Sequence, residues 1–147
     1  GRLRPPRFYQ GGTLVSCVYL LAADKELPLV NCQEFRVKTI RKVEVGMEAG
    51  FKLEPHRYYR ESVDELGYPM KHYQYELSLE ADQGDLSSLR QYLSGHLSPG
   101  ERVELWHLWV GTERPRPACF HGTLADFDMD TLRQFLNTEQ ACFTVTI

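Results

Sequence analysis

The stretch His72–Val110, HYQYELSLEADQGDLSSLRQYLSGHLSPGERVELWHLWV, reads as strand, helix and strand with clear punctuation. Tyr73, Tyr75, Leu77 and Leu79 alternate with His72, Gln74, Glu76, Ser78 and Glu80, the period of two that marks a half-buried strand. The period then changes. Leu86, Leu89, Leu93 and Leu97 recur every three or four residues and line one side of a helix. Asp85 precedes that run as a candidate N-cap, and Ser98-Pro99-Gly100 stops it, since Pro cannot continue a helix and Gly opens the turn. Val103–Val110 is apolar on both faces, as a central strand should be.

Downstream, a polar loop punctuated by Pro115 and Pro117 leads into a short strand over 118–122. Asp128 then suits the N-cap of a helix whose buried side is Leu132, Phe135 and Leu136. Asp126, Asp128 and Asp130 cluster at its start, where the helix dipole favours negative charge. Asn137 ends that helix, and Ala141–Ile147 closes the chain as a strand with Thr144 and Thr146 on one face. The order from His72 is β-α-β-β-α-β, the split βαβ of ferredoxin-like folds. The expected fold class is therefore α+β, with a ferredoxin-like core at about 72–147 and an N-terminal β extension, in a single domain over 1–147.

Upstream, residues 1–12 are rich in Arg, Pro and Gly and read as a flexible leader that Phe8 and Tyr9 could pin. TLVSCVYLLAA follows, and Leu14-Val15-Ser16-Cys17 fits the short lipoprotein cleavage pattern. In such a signal the apolar run precedes the cysteine, whereas here it follows. It is also too short to span a bilayer. A buried β-strand explains it better. From Phe35 to Val45, Phe35, Val37, Val43 and Val45 alternate with Arg36, Lys38 and Lys42. That predicts a long amphipathic strand, or two joined at a bulge near Ile40-Arg41, with its basic face turned to solvent. Residues 46–70 lack strong periodicity. Phe51–Pro55 is a short strand candidate, and the tyrosines 58, 59 and 68, flanked by Arg57 and Arg60, have the composition of an interface. Folding over the sheet as a lid is the alternative for them.

Composition bounds the function. Hydrophobic content of 42% and charged content of 25% fit a folded globular chain of 147 residues. The net charge of −3 is unevenly spread: residues 1–71 hold 12 Lys/Arg against 9 Asp/Glu, and residues 72–147 hold 5 against 11. An acidic second half disfavours nucleic acid and favours a basic partner. The four cysteines, Cys17, Cys32, Cys119 and Cys142, are too scattered for a disulfide scaffold and point to reduced thiols in a cytoplasmic chain. A Cys17–Cys32 bridge across a hairpin is the alternative.

No phosphate loop, dinucleotide fingerprint, CxxC, HExxH or nucleophile elbow is present. Cys119 and His121 share a strand face, with His107 and Cys142 on neighbouring strands, which would make a zinc site only if the registers converged. His72 with Glu76, or His107 with Glu104, could support acid–base chemistry. Neither pair stands out from ordinary polar residues, so no catalytic residue, cofactor or metal is assigned.

One likeness remains. Val103-Glu104-Leu105-Trp106-His107-Leu108-Trp109-Val110-Gly111, followed by Pro115, Leu124, Asp128, Asp130, Leu132 and Phe135, resembles a pattern in small bacterial immunity proteins of polymorphic-toxin and contact-dependent growth inhibition systems. It covers roughly residues 72–147. The resemblance implies a cytosolic, non-enzymatic protein that binds one cognate toxin and blocks its active site. The short apolar run and the acidic half add the expectation of no membrane partner and disfavour nucleic acid. A basic nuclease domain would suit the acidic half. The expected contact set is Glu76, Glu80, Asp82, Asp85, Asp126, Asp128 and Asp130, with Tyr58 and Tyr59. The other classes are an enzyme or small-ligand domain using the open sheet face, and a homodimer or larger homo-oligomer built by pairing the Phe35–Val45 strand with its copy.

Overall fold

The computed structural model describes residues 7–10, 13–110 and 116–147. In chain order its elements are β1 (Arg7–Gln10), β2 (Thr13–Ala23), β3 (Val30–Asn31), β4 (Glu34–Ile40), β5 (Val43–Ala49), β6 (Lys52–Pro55) and α1 (Arg60–Leu66). After these come β7 (Tyr73–Ser78), α2 (Gln83–His96), β8 (Arg102–Val110), β9 (Ala118–Thr123), α3 (Met129–Asn137) and β10 (Ala141–Thr146). The chain is thus α+β, built on a mostly antiparallel sheet ordered β3-β6-β7-β2-β8-β10-β9, with β1 on the flank of β2. β4 and β5 form a separate two-stranded ribbon.

The strand order departs from a ferredoxin-like core. β7, α2 and β8 do form a split βαβ, but the strand inserted between β7 and β8 is β2, which pairs with both. Hydrophobic patterning explains the exchange. Val18, Leu20 and Ala22 on one side of β2, and Leu21 and Ala23 on the other, are all fully or almost fully buried, so this strand must sit mid-sheet. β9 offers only Phe120 to the helix side and is otherwise exposed, so it takes the edge, parallel to β10. The N-terminal segment therefore supplies the sheet's centre rather than an extension. Residues 7–10, expected in a flexible leader, form β1; positions 1–6 and 11–12 of that leader lie outside the described residues.

Both sheet faces are covered. Leu21, Leu105 and Phe143 meet Leu89 and Leu93 of α2 and Leu132 and Phe135 of α3. On the reverse face Leu20, Trp106 and Leu108 meet Val63 of α1, with Tyr59, Leu66, Tyr68 and Met70 packed around them. Each large apolar side chain buried this way contributes roughly 1.5–3 kcal/mol relative to exposure. Tyr68 stacks on Trp106 at 6.0 Å, so the irregular segment is the lid over the second face.

Two local boundaries differ from the sequence reading. The N-cap of α2 is Asp82, whose side chain accepts the Asp85 N–H at 2.8 Å, and Asp85 lies in the first turn. The expected bulge near Ile40-Arg41 is instead a tight turn through Arg41 (φ 51°) and Lys42 (φ 66°), which reverses the chain into a hairpin. Two consecutive left-handed residues are what a two-residue hairpin turn demands, although Asn-Gly is the usual way to meet it.

Candidate functional site

The ribbon is built the other way round from its sequence pattern. Cross-strand register puts Glu34, Arg36, Lys38 and Ile40 on one face with Ala49, Met47, Val45 and Val43, and Phe35, Val37 and Thr39 on the opposite face with Glu48, Gly46 and Glu44. The basic face turns inward. Arg36 donates from Nη1 to Asp82 at 2.9 Å and from Nη2 to Asp85 at 3.0 Å, and Lys38 Nζ meets Glu80 at 2.5 Å. These three carboxylates surround the start of α2 and draw the cations in, which leaves Phe35 and Val37 facing out.

The ribbon consequently carries most of the exposed large hydrophobics among the described residues: Phe35 at 72%, Val37 at 58%, Ile40 at 50%, Val43 at 59% and Val45 at 37%. The Phe35 ring lies over Gly46, so close that a Cβ there would come within 2.3 Å of it. Towards the tip the Arg36 face becomes apolar, with Ile40 opposite Val43 and Val45 opposite Lys38. The other face carries Thr39 opposite Glu44 there and is apolar nearer the base, at Phe35 and Val37. The result is a finger held by ion pairs, apolar at Phe35 and Val37 on one face and at Ile40, Val43 and Val45 towards the tip of the other.

The expected acidic contact residues divide into two groups. Glu76, Glu80, Asp82 and Asp85 do not form an open docking surface. Glu76 is 8% exposed and accepts the backbone N–H groups of Arg57 and Tyr58 at 3.2 and 2.7 Å. Asp85 is 2% exposed and holds Arg36 and the Glu80 N–H, while Glu80 and Asp82 hold the ribbon. Asp126, Asp128 and Asp130, in contrast, are exposed at the start of α3. The Asp128 carboxyl sits below its ordinary range because it accepts the Thr131 N–H and then the Thr131 hydroxyl. Asp130 faces Arg133 at 3.6 Å. Tyr58 and Tyr59 are half-buried, with Tyr59 packed against the second core face at φ 56° just before α1.

The candidate chemical groups do not assemble. Register pairs Cys119 with Cys142 across β9 and β10, but His107 lies on the opposite sheet face. There its Nδ1 bonds the Phe135 carbonyl at 3.2 Å, its Nε2 faces Cys17 Sγ at 3.0 Å, and its ring stacks on Tyr19. Glu104 is on the other side, accepting from the Lys71 backbone and Trp106 Nε1, so it cannot act with His107. Burial pushes the Cys17 thiol up to about 12 and lowers the His107 imidazole, the opposite of what an activated Cys–His nucleophile requires. All four cysteines are free, so the alternative Cys17–Cys32 bridge is not formed, and no metal-binding group of three or more ligands occurs among the described residues.

The chain matches no family model, no curated protein and no solved structure. The site must therefore be read from its own geometry. No helix among the described residues is long and apolar enough to cross a membrane. What stands out is the finger, whose sequence pattern showed its alternation but put the basic side chains, rather than Phe35 and Val37, in water.

Proposed function

We propose that this chain is a non-enzymatic protein-binding module and that the β4–β5 ribbon is its gripping element. The observation that carries this reading is the exposure of Phe35, Val37, Ile40, Val43 and Val45 on one hairpin clamped at its base by Arg36. An exposed apolar cluster of this kind marks an interaction site when it is held in a fixed shape. Because Phe35 and Val37 lie on one face of the ribbon and Ile40, Val43 and Val45 on the other, a flat partner would leave one set in water. A cleft would cover both.

That favours, as the concrete form, immunity to a bacterial toxin in the cytoplasm: the finger fills the active-site cleft of one cognate toxin domain. The acidic aspartates at 126, 128 and 130 then steer a basic toxin in the encounter rather than form the contact, since complementary charge acts mainly on association rate. The test is co-expression with candidate toxin domains. Restored growth, together with a one-to-one complex, supports the reading. A chain that rescues no toxin and binds none contradicts it.

A further inference from the structure

We infer that the edge of β9, with the cavity beside it, is a second docking site, which takes an extended peptide strand carrying one large apolar side chain next to a lysine or arginine. β9 ends the main sheet, and no described strand pairs with its outer side. The Ala118 N–H bonds the Gln140 carbonyl and the Leu124 N–H bonds the Thr146 carbonyl. In a parallel ladder alternate residues turn both backbone groups to the same neighbour. The even positions thus serve β10, and Cys119 and His121 present their N–H and C=O groups outward, while the Thr123 carbonyl accepts the Asp126 N–H at 3.2 Å.

Protein edges of this kind are normally blunted by charge, proline or brevity. The other end of this sheet is β3, two residues long. β9 has six residues, ACFHGT, without a charge or a proline within it. Alongside it opens a cavity of about 260 Å³ lined by Phe120, Phe127 and Phe143, with Asp126, Thr131 and Gln134 from the α3 side. A strand added to an edge gains affinity from main-chain hydrogen bonds and specificity from pockets that take alternate side chains. Here the aromatic floor fits an apolar group. The carboxylate of the exposed Asp126 supplies the complementary charge for a cation next to it.

This site lies at the opposite end of the strand order from β6 and β7, beside whose end the ribbon is clamped, so it stands or falls independently of the ribbon. The experiment is selection of a random heptapeptide display library on the intact chain, followed by titration of the synthesised consensus peptide. The expected consensus has one large apolar residue with Lys or Arg beside it. His121→Pro removes an outward donor without touching the β10 ladder and should weaken the peptide roughly fivefold or more, one main-chain hydrogen bond's worth. Asp126→Lys, at an exposed position, should turn the selected charge from basic to acidic. Phe35→Asp should leave peptide affinity unchanged. The inference is overturned if no consensus emerges, if both β9-side variants bind as the parent does, or if β9 only pairs with its own copy as a concentration-dependent dimer.

Discussion

Arg36 and Asp85 lie 49 residues apart in sequence, yet the guanidinium Nη2 of one donates to the buried carboxylate of the other at 3.0 Å. This contact fixes which face of the ribbon meets water. It also makes Asp85 serve two elements at once, since its second oxygen accepts the Glu80 N–H at 2.6 Å just ahead of α2.

Removing that carboxylate leaves the Glu80 N–H without its acceptor and Arg36 with only Asp82 and Glu34. Asp85→Ala should lower stability by about 1–3 kcal/mol, the range for leaving a hydrogen-bonded group without its partner, as read by urea denaturation. Arg36→Met should instead act on the ribbon locally. Amide exchange in residues 34–49 should accelerate while α2 and β8 keep their protection.

The hairpin tip stores strain. Lys42 at φ 66° occupies a region where an L side chain costs roughly 1–2 kcal/mol and glycine does not. Lys42→Gly should therefore raise the stability of the hairpin by about 1 kcal/mol while weakening partner binding, if the strained tip is kept for contact. A gain in both would mean that the tip is not part of the interface.

The thiols should separate cleanly. Cys32 and Cys119 are exposed, whereas burial holds Cys17 and Cys142 up at about 12. Iodoacetamide at pH 8 should modify two cysteines in the native chain and all four once it is unfolded, counted by intact mass.

His56 is 5% exposed, and burial, together with Arg60, holds its pKa below the ordinary 6.5 against the opposing influence of Gln74, Glu76 and Asp64. His107 is lowered in the same way, again chiefly by burial. Below 6.5 the unfolded chain binds protons that the native chain refuses. The stability these neutral imidazoles allow is thus complete above pH 6.5 and falls as the pH drops, levelling off once the folded pKa is passed. Replacing His56 by Gln should remove up to about 1.4 kcal/mol per pH unit from the slope of stability between pH 6.5 and 5. An unchanged slope would contradict the assignment.

Much of the scaffold was legible from short-range pattern. The alternation in 73–79, the helical spacing of Leu86, Leu89 and Leu93, and the Asp128 cap all lie where expected, because each is decided within a few residues. Strand order was not legible. Whether β2 or β9 enters between β7 and β8 depends on a comparison of burial between segments about a hundred residues apart, which no local window contains. The acidic residues show the same limit. Sequence marks Asp82 and Asp85 as charged and therefore as surface, but their partner Arg36 arrives from a distant hairpin. That arrival converts an expected docking patch into a structural clamp and turns Phe35 and Val37 outward.

The central claim is that the ribbon grips a protein partner, and parallel affinity capture from the native host tests it most directly. Three baits are compared: the parent chain, Phe35→Asp/Val37→Asp, and Asp126→Asn/Asp130→Asn. The account predicts a stoichiometric partner on the first and third baits that disappears from the second, with all three baits equally folded by circular dichroism. Retention of that partner by the ribbon variant, with loss on the aspartate variant, would contradict it and return the binding role to the acidic surface.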